Sequence, residues 1–242
     1  MRASLDQQHT LLELQAHDSA IDRLTHRRAN LPELAKLAEL DTALAAIDQL
    51  SAERQGTLAT VKREQARLEG EVDMVTGKAS SEEERAMSGR VTSPKELTSI
   101  QEEVAALKRR QATLEDDLLE RMELRETLER ELAELSGRRA AVTTEHQEVA
   151  QARDAALVEI DRELEVEQAG RKAVEAAIEE DLRSLYEQLR KRHDGVGAAA
   201  LVGNTCQGCR VSLAGLVLAN LRKLPADEVK RCENCRRILV IE

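Results

Sequence analysis

The chain has 242 residues, 34% of them Asp, Glu, Lys or Arg, and a formal net charge of −10. Its one aromatic residue is Tyr186; Phe and Trp are absent, and Pro and Gly number only three and eleven. That composition excludes a core of aromatic and β-branched residues and points instead to long helices or coiled coils. It also argues against modules that read RNA by stacking bases on aromatic rings. No apolar stretch of signal-peptide type follows Met1-Arg2-Ala3-Ser4-Leu5-Asp6, and no run approaches membrane-spanning length. A soluble, cytoplasmic protein without membrane insertion is expected.

The first helical segment carries an apolar seam at Leu14, Ile21, Leu24 and Leu31. The register changes at Asn30-Leu31-Pro32-Glu33, where Pro32 cannot supply an interior helical N–H and Asn30 and Glu33 have capping-box spacing. A kink near 30–33 is expected. From Leu37 to Val75 the seam resumes as Leu37, Leu40, Leu44, Ile47, Leu58, Val61, Leu68, Val72 and Val75. Residues 76–93 then lose the period and contain Gly77, Gly89 and a Ser-Ser pair. They read as the tip of a hairpin. Ser93-Pro94-Lys95-Glu96 has the marks of a helix start, with Ser93 as N-cap and Pro94 in the first turn.

Beyond it, positions alternating by three and four hold Leu97, Ile100, Val104, Leu107, Leu114, Leu118, Leu128, Leu132, Leu135, Val142 and Val149. Repetition over so many heptads marks a coiled-coil seam. It is interrupted by Gln111, Arg121, Arg125, Arg139 and His146, where Arg stems can cover the seam while their heads reach water. The pattern slips by one residue after Ala156 and continues through Leu157, Ile160, Leu164, Val174, Ile178 and Leu185. Two seams of similar length around one break predict a mainly α protein: a long antiparallel coiled-coil helical hairpin over 1–194. At 1.5 Å per residue, nearly a hundred helical residues would make a rod of roughly 140 Å. Its exposed tip residues Met87, Arg90, Val91 and Lys95 are candidate partner contacts.

After Asp194-Gly195-Val196-Gly197, which reads as a linker, a small second domain is expected over 195–242. Short strands are predicted at Ala199–Gly203 and Arg237–Ile241, with a helix or turn over Ser212–Leu224 ended by Pro225. All four cysteines lie here, as Cys206-Gln207-Gly208-Cys209 and Cys232-Glu233-Asn234-Cys235. Two C-x2-C turns at this spacing suit four thiolates around one tetrahedral zinc ion. Gly208 would ease an unusual backbone angle in the first knuckle. Disulfides would require secretion, and a redox C-x2-C would sit in a βαβ pattern that is missing. One structural Zn2+ on Cys206, Cys209, Cys232 and Cys235 is therefore expected; with four protein ligands it leaves no position for water.

Cys206-Gln-Gly-Cys209-Arg-Val-Ser-Leu213 and Cys232-Glu-Asn-Cys235-Arg-Arg-Ile-Leu239 resemble the bacterial C4-type zinc-ribbon family in which a long N-terminal coiled-coil hairpin precedes this small head. The resemblance extends over the whole architecture. The family tends to read Cys-x-x-Cys-Gly-Arg-Ile-Leu-Tyr at its end; here Arg236 replaces the Gly and Val240 the aromatic. The resemblance implies a non-enzymatic adaptor, in a family associated with nucleic-acid binding and with protein partners in transcription and secretion, including flagellar systems.

Charge is divided unevenly. Arg190–Glu242 carries +5 and the residues before it −15, an asymmetry that marks a separate binding function. Arg210, Arg222, Lys223, Lys230, Arg231, Arg236 and Arg237 are candidate contacts for nucleic acid or another partner, since Arg makes paired hydrogen bonds to phosphate. Four thiolates on zinc carry −2, and the acidic hairpin repels phosphate, both of which oppose binding to nucleic acid. No catalytic constellation is apparent: the His residues lack one-turn metal spacing, His17 and His146 fall on seam positions, and no phosphate loop is present. Two readings stand: an adaptor presenting the zinc-ribbon head to a protein partner, and a module binding RNA or DNA through the head.

Overall fold

The computed structural model describes residues 1–241. Two compact units are formed, one from Lys36–Val149 and one from Met1–Ala35 together with Ala150–Glu242. The predicted class holds: a helical hairpin followed by a small C-terminal sheet.

In the first unit, helix α2 (Pro32–Met87) runs antiparallel to helix α3 (Pro94–Glu175). As the charged partner on α2 advances from Lys36 to Asp48, Arg54, Lys62, Lys78 and Arg85, its partner on α3 retreats from Glu145 to Arg139, Glu131, Glu129, Glu103 and Glu96. The predicted seam is the buried stripe. Leu37, Leu40, Ile47, Val61 and Leu68 on α2 are buried, as are Ile100, Leu114, Leu128 and Leu135 on α3. Two of its polar interruptions meet, as Arg125 Nη1 donates to Gln65 Oε1 at 3.2 Å, while His146 Nε2 reaches outward to the exposed Asp41, 3.1 Å from its Oδ1. Arg139 leaves the seam for solvent and donates through Nε to Asp48 Oδ1 at 2.7 Å.

The tip is shorter than expected. Helix α2 continues through Gly77 and Ser80-Ser81 to Met87, so the break is confined to residues 88–93. A helical Gly costs about 1 kcal/mol. That cost is offset here by the burial of Ala79 and by cross-helix pairs from Lys78 to Glu103 and from Glu83 to Lys108. Helix α3 does begin at Pro94, but the Glu96 carboxylate accepts from Arg85 Nη2 at 3.0 Å.

In the second unit, helix α1 (Leu5–Ala29) packs along the end of α3. Leu24 and Leu31 enclose Ile160, which has no exposed surface, and Arg28 Nε lies 2.9 Å from Asp161 Oδ1. The break before Pro32 falls where expected, with a different cap. Asn30 closes α1 by donating through Nδ2 to His26 O at 2.8 Å, so it caps the preceding helix C-terminally. A second break separates α3 from α4 (Glu180–Arg192), although the apolar spacing runs on through buried Ile178.

A four-stranded sheet follows, in the order β2 (Thr205–Cys206), β1 (Ala198–Val202), β4 (Ile238–Ile241), β3 (Lys230–Arg231). The central pair β1 and β4 is parallel, and helix α5 (Gly215–Lys223) lies in the connection. Alternation along the strands divides the sheet into two apolar faces. Ala198, Ile238 and Val240 pack with Leu11, Leu14, Leu182 and Tyr186 from α1 and α4. Ala199, Leu201 and Leu239 pack with Cys206, Cys232 and Leu213. Asp194–Gly197 is therefore no free linker. Gln15 on α1 accepts from Gly197 N at 2.7 Å and donates to Gly195 O at 2.9 Å, which holds that segment against the helix.

Candidate metal centre

Each C-x2-C segment folds into the same knuckle. Cys206 N donates to Val211 O and Arg210 N returns to Cys206 O, at 3.1 and 2.7 Å. Cys232 N donates to Arg237 O and Arg236 N returns to Cys232 O, at 3.0 and 2.9 Å. To close that turn, the residue after the second cysteine takes a left-handed backbone, with φ of 58° at Arg210 and 63° at Arg236. The left-handed residues are thus the two arginines. Gly208 serves close packing: a Cβ there would lie 2.9 Å from Arg237 Cδ and 3.0 Å from Ala199 Cβ.

The two knuckles bring four free thiols together. Their sulfurs all lie within 4.8 Å of one another, with Cys206 Sγ 4.0 Å from Cys235 Sγ and Cys209 Sγ 3.9 Å from Cys232 Sγ. Disulfide sulfurs would be about 2.05 Å apart. A tetrahedron built on Zn–S bonds of about 2.3 Å has edges near 3.8 Å, so the donor set fits one zinc ion. Cys206, Cys209, Cys232 and Cys235 hold one structural Zn2+, which ties together a segment too small to fold on its own apolar core.

Burial pushes the Cys206 thiol up to about 12, against backbone hydrogen bonds from Cys209 and Gly208 that favour its thiolate. Burial raises Cys232 as well. At Cys235 burial acts in the same sense, but the backbone and side-chain N–H groups of Arg237 together with the Cys232 and Cys209 thiols outweigh it and bring the thiol down to about 7. Metal binding therefore displaces protons from at least Cys206 and Cys232 at neutral pH.

The seven basic residues of the head divide by environment. Arg210, Arg222, Lys223, Arg231 and Arg236 are exposed. Lys230 is buried, and its Nζ donates to Pro225 O at 3.0 Å and Glu228 O at 3.4 Å. Arg237 is half-buried and donates to three carbonyls: Nε to Val196, Nη1 to Gly208 and Nη2 to His193, at 2.9, 3.2 and 3.0 Å. Those two side chains are committed inside the fold, which corrects their assignment as outward contacts. The carbonyl partners of Arg237 lie 29 to 44 residues away in sequence, beyond the reach of local pattern, whereas those of Lys230 lie two and five residues back along the chain.

At the hairpin tip, Met87 is 84% exposed and lines a groove of about 540 Å³ with Ala86, Leu97, Val104 and Ala105. Arg90 and Val91 line a second hollow with Arg85 and Glu96, and Lys95 is exposed in the first turn of α3.

One cluster escapes motif reading. Asp18 is buried on α1 and accepts from Tyr186 Oη at 2.6 Å and from Arg171 Nε at 2.7 Å, with Arg190 Nε 3.5 Å away. Burial and then the Asp18 carboxylate push the Tyr186 hydroxyl far above its ordinary range, so it remains a donor. The available signal was position: Asp18 follows Leu11 and Leu14 on one helical stripe, and Tyr186 is the lone aromatic.

Residues 14–194 match a CT398-like coiled coil hairpin domain, and residues 205–239 match a C4-type zinc ribbon domain. The uncharacterised protein Rv2229c of Mycobacterium tuberculosis is 33% identical over 240 residues, 99% of this chain and 97% of that protein. A solved structure from Mycobacterium smegmatis superposes with a TM-score of 0.86 at 36% identity, covering 100% of both chains. CT398 from Chlamydia trachomatis, at 19% identity and 98% coverage of both chains, shares the fold with a TM-score of 0.73.

Proposed function

This chain belongs to the family of CT398-like coiled-coil hairpin proteins that end in a C4-type zinc ribbon, and from that premise we propose that it is a non-enzymatic adaptor whose zinc-ordered head engages a protein partner. The observation that carries this reading is the surface of the head. Leu216 on α5 is 77% exposed, and Val202, Val211 and Leu224 are exposed in the same small domain. A head ordered by metal that still leaves apolar side chains in water suits a surface completed by another protein. The arginines around it, Arg210, Arg222 and Arg236 among them, would favour an acidic rim on that partner.

A four-thiolate zinc site has no open position for water or substrate, which supports a structural metal over a catalytic one. Reduced thiols suit the cytoplasm. Among the described residues, no helix is long and apolar enough to cross a membrane. The hairpin tip around Met87 is the second surface open to a partner, and nucleic acid on the five exposed basic residues is the competing reading.

The test places a photo-crosslinking amino acid at position 216 or at position 87 of the full chain, in the cells that produce it. Discrete protein adducts at 216 that disappear with Cys232→Ser support the head as the working end. Adducts only at 87 move the contact to the tip. Fluorescence anisotropy with labelled RNA and DNA at two salt concentrations runs alongside: zinc-dependent binding that weakens steeply with salt would replace the adaptor reading with the nucleic-acid one.

A further inference from the structure

We propose that Arg237 couples the zinc knuckles to the docking of helix α1, so that zinc occupancy governs how firmly the N-terminal helix is held against the ribbon. Both knuckles converge on this residue. Its backbone carbonyl accepts from Cys232 N at 3.0 Å, and its Nη1 donates at 3.2 Å to Gly208 O, directly before Cys209. On the other side, Nε and Nη2 hold the carbonyls of Val196 and His193 at 2.9 and 3.0 Å. That segment is the one gripped by Gln15: Gly195 O accepts from its Nε2 at 2.9 Å, and the N–H groups of Gly197 and Ala198 donate to its Oε1 at 2.7 and 3.3 Å. Gln15 is itself buried on α1. Two side chains and one backbone strap therefore connect the thiolates to the N-terminal helix.

The planar guanidinium fork makes this connection sensitive to geometry. Its donors have fixed directions, so three carbonyls are satisfied together only while the knuckle and the strap keep one separation. Gly208 lets the Arg237 stem lie against the knuckle, and a side chain there would push it away. Zinc ties the two knuckles to each other; when the metal leaves, Gly208 keeps the bond from the adjacent Gln207 N to Ala200 O at 3.0 Å but loses the link to Cys232 and Cys235 that fixes its distance from Arg237. By linkage the effect runs both ways: a ribbon released from α1 binds zinc less tightly. A separate route runs from the residues just before β3 to the N-terminus, where Val229 N donates to Met1 O at 3.1 Å and Ala3 N to Asp227 O at 2.8 Å. An experiment must tell these two routes apart.

Hydrogen-exchange mass spectrometry on the full chain, zinc-loaded and chelator-stripped under reducing conditions, tests the coupling. Stripping should speed exchange at Gly197, Ala198 and Leu11–Asp18 by about tenfold while leaving Lys36–Val149 unchanged. Arg237→Gln, with zinc content measured at one per chain, should show the faster exchange with the metal still bound. Gln15→Ala, which keeps the four thiols and Arg237 in place and removes only the acceptor and donor that grip Gly195–Ala198, should weaken zinc binding at least about fivefold in chelator competition. Should Arg237→Gln fail to retain zinc, the stripped wild type and Gln15→Ala decide. Unchanged exchange in α1 on stripping, or wild-type zinc affinity in Gln15→Ala, overturns the coupling. Wild-type protection in zinc-loaded Arg237→Gln assigns it to the Met1–Val229 route or to the packing of Ala198, Ile238 and Val240 on Leu11 and Leu14, and overturns the role of Arg237.

Discussion

The hydroxyl of Tyr186 donates to the carboxylate of Asp18 at 2.6 Å, and both side chains are buried. This pair joins α4 to α1, and the Arg171 guanidinium on α3 completes it at 2.7 Å. Opposite the metal site, the core of the ribbon-containing unit is therefore pinned by one carboxylate shared between two donors, with the Arg190 guanidinium 3.5 Å away. A close approach at Gly197 allows this arrangement, since a Cβ there would meet Tyr186 O at 2.6 Å and the ring at 2.8 Å.

Tyr186→Phe should destabilise the protein by about 1.5–2 kcal/mol, the lower part of the range for a hydrogen bond to a charged group. Asp18→Ala should cost more, about 2–3 kcal/mol, because Arg171 Nε loses its acceptor as well; a fully broken buried pair would cost more still, but that guanidinium keeps Glu175, Glu187 and partial contact with water. Urea denaturation of the two variants gives the order. An Asp18→Ala protein as stable as Tyr186→Phe would show that the Arg171 contact contributes nothing.

Arg236 occupies a left-handed backbone position where Gly has no steric cost. Its side chain is exposed and its backbone N–H already closes the knuckle. Arg236→Gly should stabilise the ribbon by about 0.5–1 kcal/mol, the relief of the left-handed penalty less the entropy Gly brings to the unfolded chain. Thermal unfolding of the zinc-loaded head resolves this. A lower midpoint would mean that the arginine side chain contributes a contact outweighing the strain.

Zinc affinity should rise with pH. Burial raises the thiols of Cys206 and Cys232, so both carry protons near neutrality when metal is absent, and zinc must displace them. With these two protons released, and a further one from Cys235 whose thiol lies at about 7, the apparent dissociation constant falls at least about 100-fold per pH unit between roughly pH 6 and 7. Competition with a chromophoric chelator across that window measures the slope. A slope near zero would mean that the thiolates are already formed without metal.

Cys232→Ser should abolish stoichiometric zinc binding while leaving most of the helical signal in circular dichroism, since Lys36–Val149 forms its own compact unit. The loss should be confined to the ribbon and the segments packed on its sheet, α1 and α4. Collapse of the whole helical spectrum would contradict that division.

In the coiled coil, the Gln65–Arg125 layer should set register more than stability. Replacing both by Leu should raise the melting temperature, because a polar layer within an apolar seam is retained for specificity at a cost in stability. Replacing Gln65 alone leaves the Arg125 guanidinium facing an apolar layer and should lower it. A double variant less stable than wild type would assign the layer a stabilising role.

The heptad spacing from Leu37 to Val75 and from Leu97 to Val149 was enough to place the seam, because coiled-coil burial depends on period, and period is local. The four zinc ligands were legible for the same reason: a C-x2-C turn places its two sulfurs whatever surrounds it. The ends of elements were less so. Asn30 and Pro32 located a break, but which helix Asn30 caps depended on where its amide could reach, and α2 passes Gly77 because α3 lies alongside to reward it. What Lys230, Arg237, Gln15 and Asp18 do was decided only by tertiary structure. A basic side chain on a short strand reads as an outward charge until the carbonyls of Pro225, or of His193, Val196 and Gly208, arrive from elsewhere in the chain. Those contacts form when the parallel β1–β4 pair closes over α1 and α4. Those of Arg237 join residues 29 to 44 apart in sequence, so their geometry follows from the packing of the whole unit; the Lys230 contact spans five residues but still needs the chain to turn back before β3.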